Sequence, residues 1–415
     1  MKETHYNSHM HLNPCKNTIS RNARTPIPIL KLLFINILLL IYLLLVGCSG
    51  EAEEIDWHDG DIVMEMPSPI PVYENEGEPP SFSPRAVESP MQFLPFLMPA
   101  GPFSRLTGLP IYEEYMNRRP FAAVINNSGA ALPQSGVGSA DIIYEVLAEG
   151  DVTRLVGIFQ SYIPDKIGPM RSARDYFIDF ALNHDALFIH HGSSPGGYSR
   201  INILRITNLD GMALEGTVFW RDRTYPDWAV NTGTRPLEHS SYTGNERLFN
   251  HLENRSIRDY WNYDSYDFGF DFTWPFTRPG EIDPEGGQAY TIFVPFSALY
   301  FRRFIFDHET GLYMAENRQG SHMDAETGEP VGVTTVLIQF TNMRVIDGVG
   351  RRTVDTVGSG PGYMVVSGRY VPVSWVKESH ASPTRWYDQH GAPLELEPGR
   401  VWICVFQSNG NVVFE

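Results

Sequence analysis

The stretch Ile167 to Ala186, IGPMRSARDYFIDFALNHDA, organises the reading of the rest of the chain. Ser172 and Asp175 have the S-x-x-D spacing of a capping box, and Ala173, Tyr176, Phe177, Phe180 and Ala181 recur at helical spacing. A helix is therefore expected to begin at Ser172. Arg171 and Arg174 would then flank a helix start, where free backbone N–H groups and the dipole favour negative charge, and two guanidinium groups would strengthen that preference. Such a place suits a phosphate or a carboxylate. The competing reading is structural: both arginines pair with nearby acids such as Asp165, Asp175 or Asp179.

Working outward toward the N-terminus, Asp141 to Leu147 and Val152 to Gln160 read as two strands of a hairpin joined across residues 148–151, with a shorter strand at Phe121 to Ile125. In the second hairpin strand Val152, Arg154, Val156 and Ile158 share a face. An arginine on an apolar face needs a partner, because an unpaired buried charge is costly. Glu145 and Asp141 are the local candidates; the alternative is that Arg154 joins Arg171 and Arg174 around one ligand. Toward the C-terminus, Ala186 to Ile189 reads as a buried strand running into His190-His191-Gly192 and a Ser/Gly-rich loop, a reasonable pocket wall. His190 and His191 point to opposite faces, so they do not ligate one metal together. His190 stands as a candidate acid, base or ligand contact, against a default of structural hydrogen bonding. Thr243 and Glu246 repeat capping-box spacing before Leu248, Phe249 and Leu252, a second helix.

Beyond Gly287 helical periodicity fades. The near-identical turns DHETG (307–311) and DAETG (324–328), with the similar DQHG (388–391), mark successive hairpins of an antiparallel region. The fold class is therefore α+β, a mixed α/β N-terminal domain followed by a mainly antiparallel β domain. GSGPG (358–362) leads into strand-like residues and reads as a turn, not a phosphate loop. Cys404 in VWICVFQ reads as an inert buried thiol. Trp375, Lys377, Trp386, Tyr387 and Trp402 offer either an aromatic interaction surface or core packing. His322 and Asp324 are placed at the junction of the two domains. Asp264, Asp267 and Asp271 do not match a calcium loop, and neither a cofactor motif nor a metal-ligand spacing is read.

The first hundred residues have a different character. Leu32 to Val46 is an apolar run broken only by Asn36 and Tyr42, short for a spanning helix and normal for a signal-peptide core. It ends in Leu45-Val46-Gly47-Cys48, which resembles the bacterial lipobox, where the cysteine thiol receives a diacylglycerol after cleavage. Two or more acyl chains, each buried CH₂ contributing about 0.8 kcal/mol, would hold the protein stably at a membrane. The polar region before the run is long for a signal peptide, which places the true start near Met10. Ser49 to Ser104 then holds ten prolines and eleven acids against the single basic residue Arg85, the composition of an extended, self-repelling tether. The net charge of −17 argues against a nucleic-acid partner, since duplex binding needs a basic face.

Taken together, RPFAAVINN (119–127), PQSGVGSADIIYEVLAEGDVTRLVGIFQS (133–161), IGPMRSARDYFIDFAL (167–182), FIHHGSSPGG (188–197), FDHETGLYMAENRQGSHMD (306–324), SWVKE (374–378) and LELEPGRVWICV (394–405) resemble the YerB-like lipoproteins of Gram-positive bacteria, a two-domain family of unknown function. His190 sits at a family-like position, whereas His191 departs from the pattern. With residues 1–47 read from the apolar run and lipobox as signal peptide and 48–104 from composition as tether, the resemblance implies 105–284 as the first domain and 285–415 as the second, on the extracytoplasmic side of the cell membrane. It brings no activity with it. Two functions follow as expectations: a tethered module binding an anionic envelope polymer or an envelope protein through Arg154, Arg171 and Arg174, or an envelope hydrolase or transferase acting on a phosphodiester or glycosidic bond, with Glu145 or Asp141 as base and His190 as acid. A third reading makes the two domains an interaction scaffold. Oligomeric state is not legible.

Overall fold

The computed structural model describes residues 102–261, 270–272 and 286–415. The leader with Cys48, the acidic segment to residue 101, Asp264, Asp267 and the side chain of Asp271 lie outside the described residues. Five strands come from the N-terminal half: β1 (Phe121–Asn126), β2 (Ile142–Leu147), β3 (Thr153–Phe159), β4 (Leu187–His190) and β5 (Asn208–Asp210). Further strands follow as β6 (Trp220–Arg221), β7 (Ser241–Tyr242), β8 (Thr291–Val294), β9 (Arg302–Asp307), β10 (Leu312–Asn317), β11 (Thr335–Thr341), β12 (Gly358–Val366), β13 (Arg369–Lys377), β14 (Arg385–Tyr387), β15 (Val401–Gln407) and β16 (Val413–Phe414). The main helices are α1 (Asp175–Leu182), α2 (Pro195–Leu204) and α3 (Asn245–Arg255). The N-terminal half is mixed α/β and the C-terminal half mainly antiparallel β.

The two halves share one sheet of eleven strands, whose main order is β14-β13-β12-β11-β15-β2-β3-β1-β4-β5. They meet where β2 runs parallel to β15, with Ile142 opposite Val401 and Val146 opposite Val405. The central strands are buried on both faces, which is why they read as nearly continuous apolar runs. Alternate residues serve opposite faces: Ala122, Val124, Tyr144, Val146, Val156 and Ile158 pack with Tyr176, Phe177 and Phe180 of α1. Phe121, Ala123, Ile125, Ile143, Leu155 and Phe159 face the other way, in one core with Leu248 and Leu252 of α3 and with Ile292, Phe304 and Tyr313 of a six-stranded sheet ordered Gly320–Ser321, β10, β9, β8, β16.

Both capping boxes expected from sequence are absent. α1 begins at Asp175, after an extended Arg174 that offers no side-chain cap. Residues 170–174 are tied instead to β1 and to the loop after β4, with Arg171 N–H donating to Val124 O (2.9 Å) and Ala173 N–H to Gly192 O (2.9 Å), while Ser172 Oγ donates to His191 O (3.1 Å). Thr243 likewise exchanges backbone bonds with Ile167, and α3 starts after Gly244, where a Cβ would lie 1.8 Å from Asp165 O. Tertiary pairing thus takes the backbone that local propensity assigned to a first helical turn. The segment 358–362 is also corrected: it is the start of β12, paired with β13, and Gly362 lets Ile338 O approach to 2.5 Å of where a Cβ would stand. The aspartate turns do form as expected, with Asp307 and Asp324 each accepting from the N–H two residues on, and Gly311 and Gly328 at φ +72° and +70°. Trp375, Trp386 and Trp402 are core residues. Among the described residues no helix is long and apolar enough to cross a membrane.

Candidate functional site

The sheet register decides the fate of Arg154. Val146 stands opposite Arg154 and Glu145 opposite Leu155, so Arg154 and Glu145 occupy opposite faces and cannot pair. Arg154 instead meets Glu149 of the hairpin turn (3.1 Å) and donates to Ser172 O (2.6 Å). Arg174 makes a two-pronged contact with the same Glu149 carboxylate and donates to Ser172 O (3.2 Å) and Ala173 O (2.5 Å). Burial, with the Arg174 charge added, lowers the Arg154 pKa to about 9. These two arginines therefore brace the extended segment 172–173 from behind. Their expected ligand position is held by Glu149.

The expected acid/base groups are dispersed. Glu145 points between the two sheets, where its carboxylate accepts from Arg302 Nε (2.9 Å) and Nη2 (3.1 Å), Trp402 Nε1 (3.2 Å), Asn127 Nδ2 (3.1 Å) and Thr153 Oγ1 (2.8 Å). His322 completes that buried network, its Nδ1 accepting from Arg302 Nη1 (2.7 Å). Asp324 sits at the junction of the halves, accepting from the N–H groups of Gly136 (3.2 Å) and Gly138 (2.7 Å). Asp141 is buried and accepts from Gln160 N–H (2.6 Å) and Ser161 N–H (2.9 Å). Lys377 is buried against Asn183 Oδ1 (2.6 Å), and burial lowers its pKa to about 8 with Asp179 opposing. His190 is fully buried, with Nδ1 against Gly192 O (2.8 Å) and Nε2 against Asn208 Oδ1 (3.1 Å).

Of the sequence candidates only Arg171 reaches an open cleft of about 590 Å³. Its floor is Ser172, His191, Gly192 and Ser193; Arg171, Arg221 and Glu238 stand on its walls; Tyr198, Met212 and Leu237 are exposed at its rim. Asp210 ties the floor together, accepting from the N–H groups of Gly192 (2.8 Å) and Met212 (2.9 Å) and from Tyr198 Oη (2.8 Å). Arg221 donates to Glu215 from Nε (2.7 Å) and Nη2 (2.8 Å), to His191 Nε2 (3.0 Å), and from Nη1 to Leu237 O (2.8 Å). Since arginine only donates, His191 carries its proton on Nδ1, which donates to Ser241 Oγ (2.8 Å). Burial and the Arg221 charge hold the His191 pKa below the ordinary imidazole value. Arg171 Nη1 donates to Glu238 O (2.8 Å), so the two guanidinium groups lie against consecutive carbonyls. No carboxylate among the described residues lies within 4 Å of Arg171.

The profile described as "Protein of unknown function (DUF3048) N-terminal domain" matches residues 106–258, and that of the corresponding C-terminal domain matches 292–403. The chain belongs to this family. A Bacillus subtilis (strain 168) protein named "Putative lipoprotein YerB" is 29% identical over 305 residues, covering 72% of this chain and 85% of that one. The crystal structure of the Bacillus subtilis YerB protein superposes with a TM-score of 0.63 at 28% identity, covering 75% of this chain and 99% of the other. For this DUF3048 chain, Arg221, Glu215 and Tyr198 went unnoticed in the sequence because no spacing rule links residues brought together by the 190–242 loops. The signal that existed was indirect: a loop rich in Ser and Gly after a buried strand.

Proposed function

We propose that this DUF3048 chain is a lipid-anchored, extracytoplasmic binding module whose folded body takes an anionic group of an envelope ligand in the Arg171 cleft. In this reading Cys48 carries the anchor, residues 48–104 are the tether, and residues 105–284 and 285–415 are two domains welded through one sheet. The observation that carries it is Arg171: a guanidinium on an open cleft wall, hydrogen-bonded to one carbonyl and to no carboxylate. A planar fork of donors with most N–H groups uncommitted suits a phosphate or carboxylate. The lipobox residues and the printed name of the Bacillus subtilis relative support the anchored location.

The cleft favours binding over hydrolysis. Asp141, Glu145 and His190, the acid and base groups expected from the sequence, are absent from its lining and engaged elsewhere. Arg154 and Arg174 act as positioning residues through Ser172 O. The test is equilibrium binding of the purified full chain and its Arg171→Ala variant to teichoic acid and to peptidoglycan fragments. Saturable binding by wild type that the variant loses at least tenfold supports the reading; equal, non-saturating signals from both would sink it.

A further inference from the structure

The cleft carries a second uncommitted charge. Glu238 is exposed on the wall beside Arg171, its backbone carbonyl holding the guanidinium while its carboxylate accepts no bond from Arg171. The nearest basic side chain within 4 Å of that carboxylate is His239, with Nε2 at 3.9 Å. His239 Nδ1 lies against the amide nitrogen of Asn126 (2.5 Å), which donates, so the ring is the Nε2–H tautomer and neutral. Burial first, then the Arg171 charge, keep the His239 pKa below the ordinary imidazole value. Among the described residues the Glu238 carboxylate therefore has no lysine or arginine within 4 Å, and its own backbone N–H, with the more distant Arg171 and Arg223 charges, keeps its pKa below the ordinary carboxylate value.

A plain anion seated on Arg171 would be repelled by Glu238, whereas a ligand bearing both signs would meet an opposite charge at each end. Two adjacent guanidinium groups, one with four N–H donors uncommitted and the other with one, can bring donors from two side chains to the several oxygens of one phosphate. The exposed Tyr198, Met212 and Leu237 supply apolar contact for a short carbon linker. Building on the cleft reading above, we infer that the bound group is a phosphate ester carrying an ammonium, with the phosphate against Arg171 and Arg221 and the ammonium against the Glu238 carboxylate.

Calorimetric titration of the full chain with glycerol 3-phosphate and with phosphoethanolamine isolates the ammonium, since both are phosphate monoesters. Phosphoethanolamine should bind about fivefold tighter, the worth of one exposed ion pair. Glu238→Gln should remove that preference by weakening phosphoethanolamine while leaving glycerol 3-phosphate unchanged or tighter. Equal affinity for the two probes in wild type, or a preference that survives Glu238→Gln, overturns the inference and leaves the anion site standing. If Arg171→Ala binds both probes as wild type does, or wild type binds neither, the anion site falls with it. Glycerophosphoethanolamine and alanyl-glycerol phosphate extend the comparison: whichever binds tighter supports the inference and assigns the ligand to a lipid headgroup or to an aminoacylated polyol phosphate, and binding of neither overturns it.

Discussion

The same three residue types make the same contact twice in this molecule, in two different solvents. Arg302 grips Glu145 from Nε and Nη2 and donates to His322 between the sheets; Arg221, on the cleft wall, grips Glu215 from Nε and Nη2 and donates to His191. Glu145 and Arg302 are at most 1% exposed, whereas the Glu215 side chain is 44% exposed. In the core the network is closed around the ion pair, with Trp402 under the guanidinium and Asn127 and Thr153 filling the carboxylate's remaining sites, while His322 Nε2 is buried without a hydrogen-bond partner. In the cleft it is open, and the neighbouring Arg171 has donors to spare. Geometry alone therefore does not mark a functional arginine; what decides is whether its charge is already satisfied away from water.

Truncating each acid separates the two networks by the largest margin. Glu145→Ala leaves Arg302 buried without a counter-charge and should cost about 3–5 kcal/mol, enough to consume a large part of a domain's stability. Glu215→Ala, at an exposed pair, should cost about 1 kcal/mol or less. Urea unfolding followed by tryptophan fluorescence measures both. If the two variants lose similar stability, the distinction between closed and open networks is wrong.

Acid titration sharpens the contrast through the histidines. Burial, with the Arg302 charge added, holds the His322 pKa well below 6.5, and burial with Lys377 lowers His184 to about 3. A folded pKa below the unfolded one means the folded state binds fewer protons, so the contribution is complete above about pH 6.5 and is lost as pH falls toward the folded value. For His184 that window runs from about 6.5 to about 3. His322→Asn keeps an acceptor toward Arg302 and should flatten the fall in stability between pH 6.5 and 4. His191→Asn, at a half-buried site, should change it less. Equal slopes for the two variants would contradict the assigned burial.

The lone Arg154 among alternating apolar residues announced that it needed a partner, and the partner was missed because pairing of β2 with β3 puts Glu145 on the other face. Period-2 alternation says which residues of one strand share a face; register, set by the hairpin turn, says which residues of two strands do. The strands and the aspartate turns were legible because each is specified within a few residues. The β2 to β15 pairing spans more than 250 residues and has no local signal, so neither the shared sheet nor the Glu145–Arg302 contact could be read. Arg171 was legible as a basic residue beside a structural element, while its isolation from carboxylates depends on Arg154 and Arg174 both having taken Glu149.

That isolation gives the smallest expected effect on stability and the most informative one. Arg171→Ala removes one hydrogen bond, to Glu238 O, and breaks no ion pair, so it should change unfolding free energy by about 1 kcal/mol or less. Arg174→Ala, by contrast, removes the main partner of a carboxylate that is 17% exposed and takes one donor each from the Ser172 and Ala173 carbonyls, which keep Arg154 and Ser194 N–H, so it should destabilise more and loosen the cleft wall as well. An arginine kept for structure would show the opposite order. A stability loss for Arg171→Ala as large as that for Arg174→Ala would move Arg171 from the ligand-binding set to the bracing set, and the open cleft would lose the cation on which its reading depends.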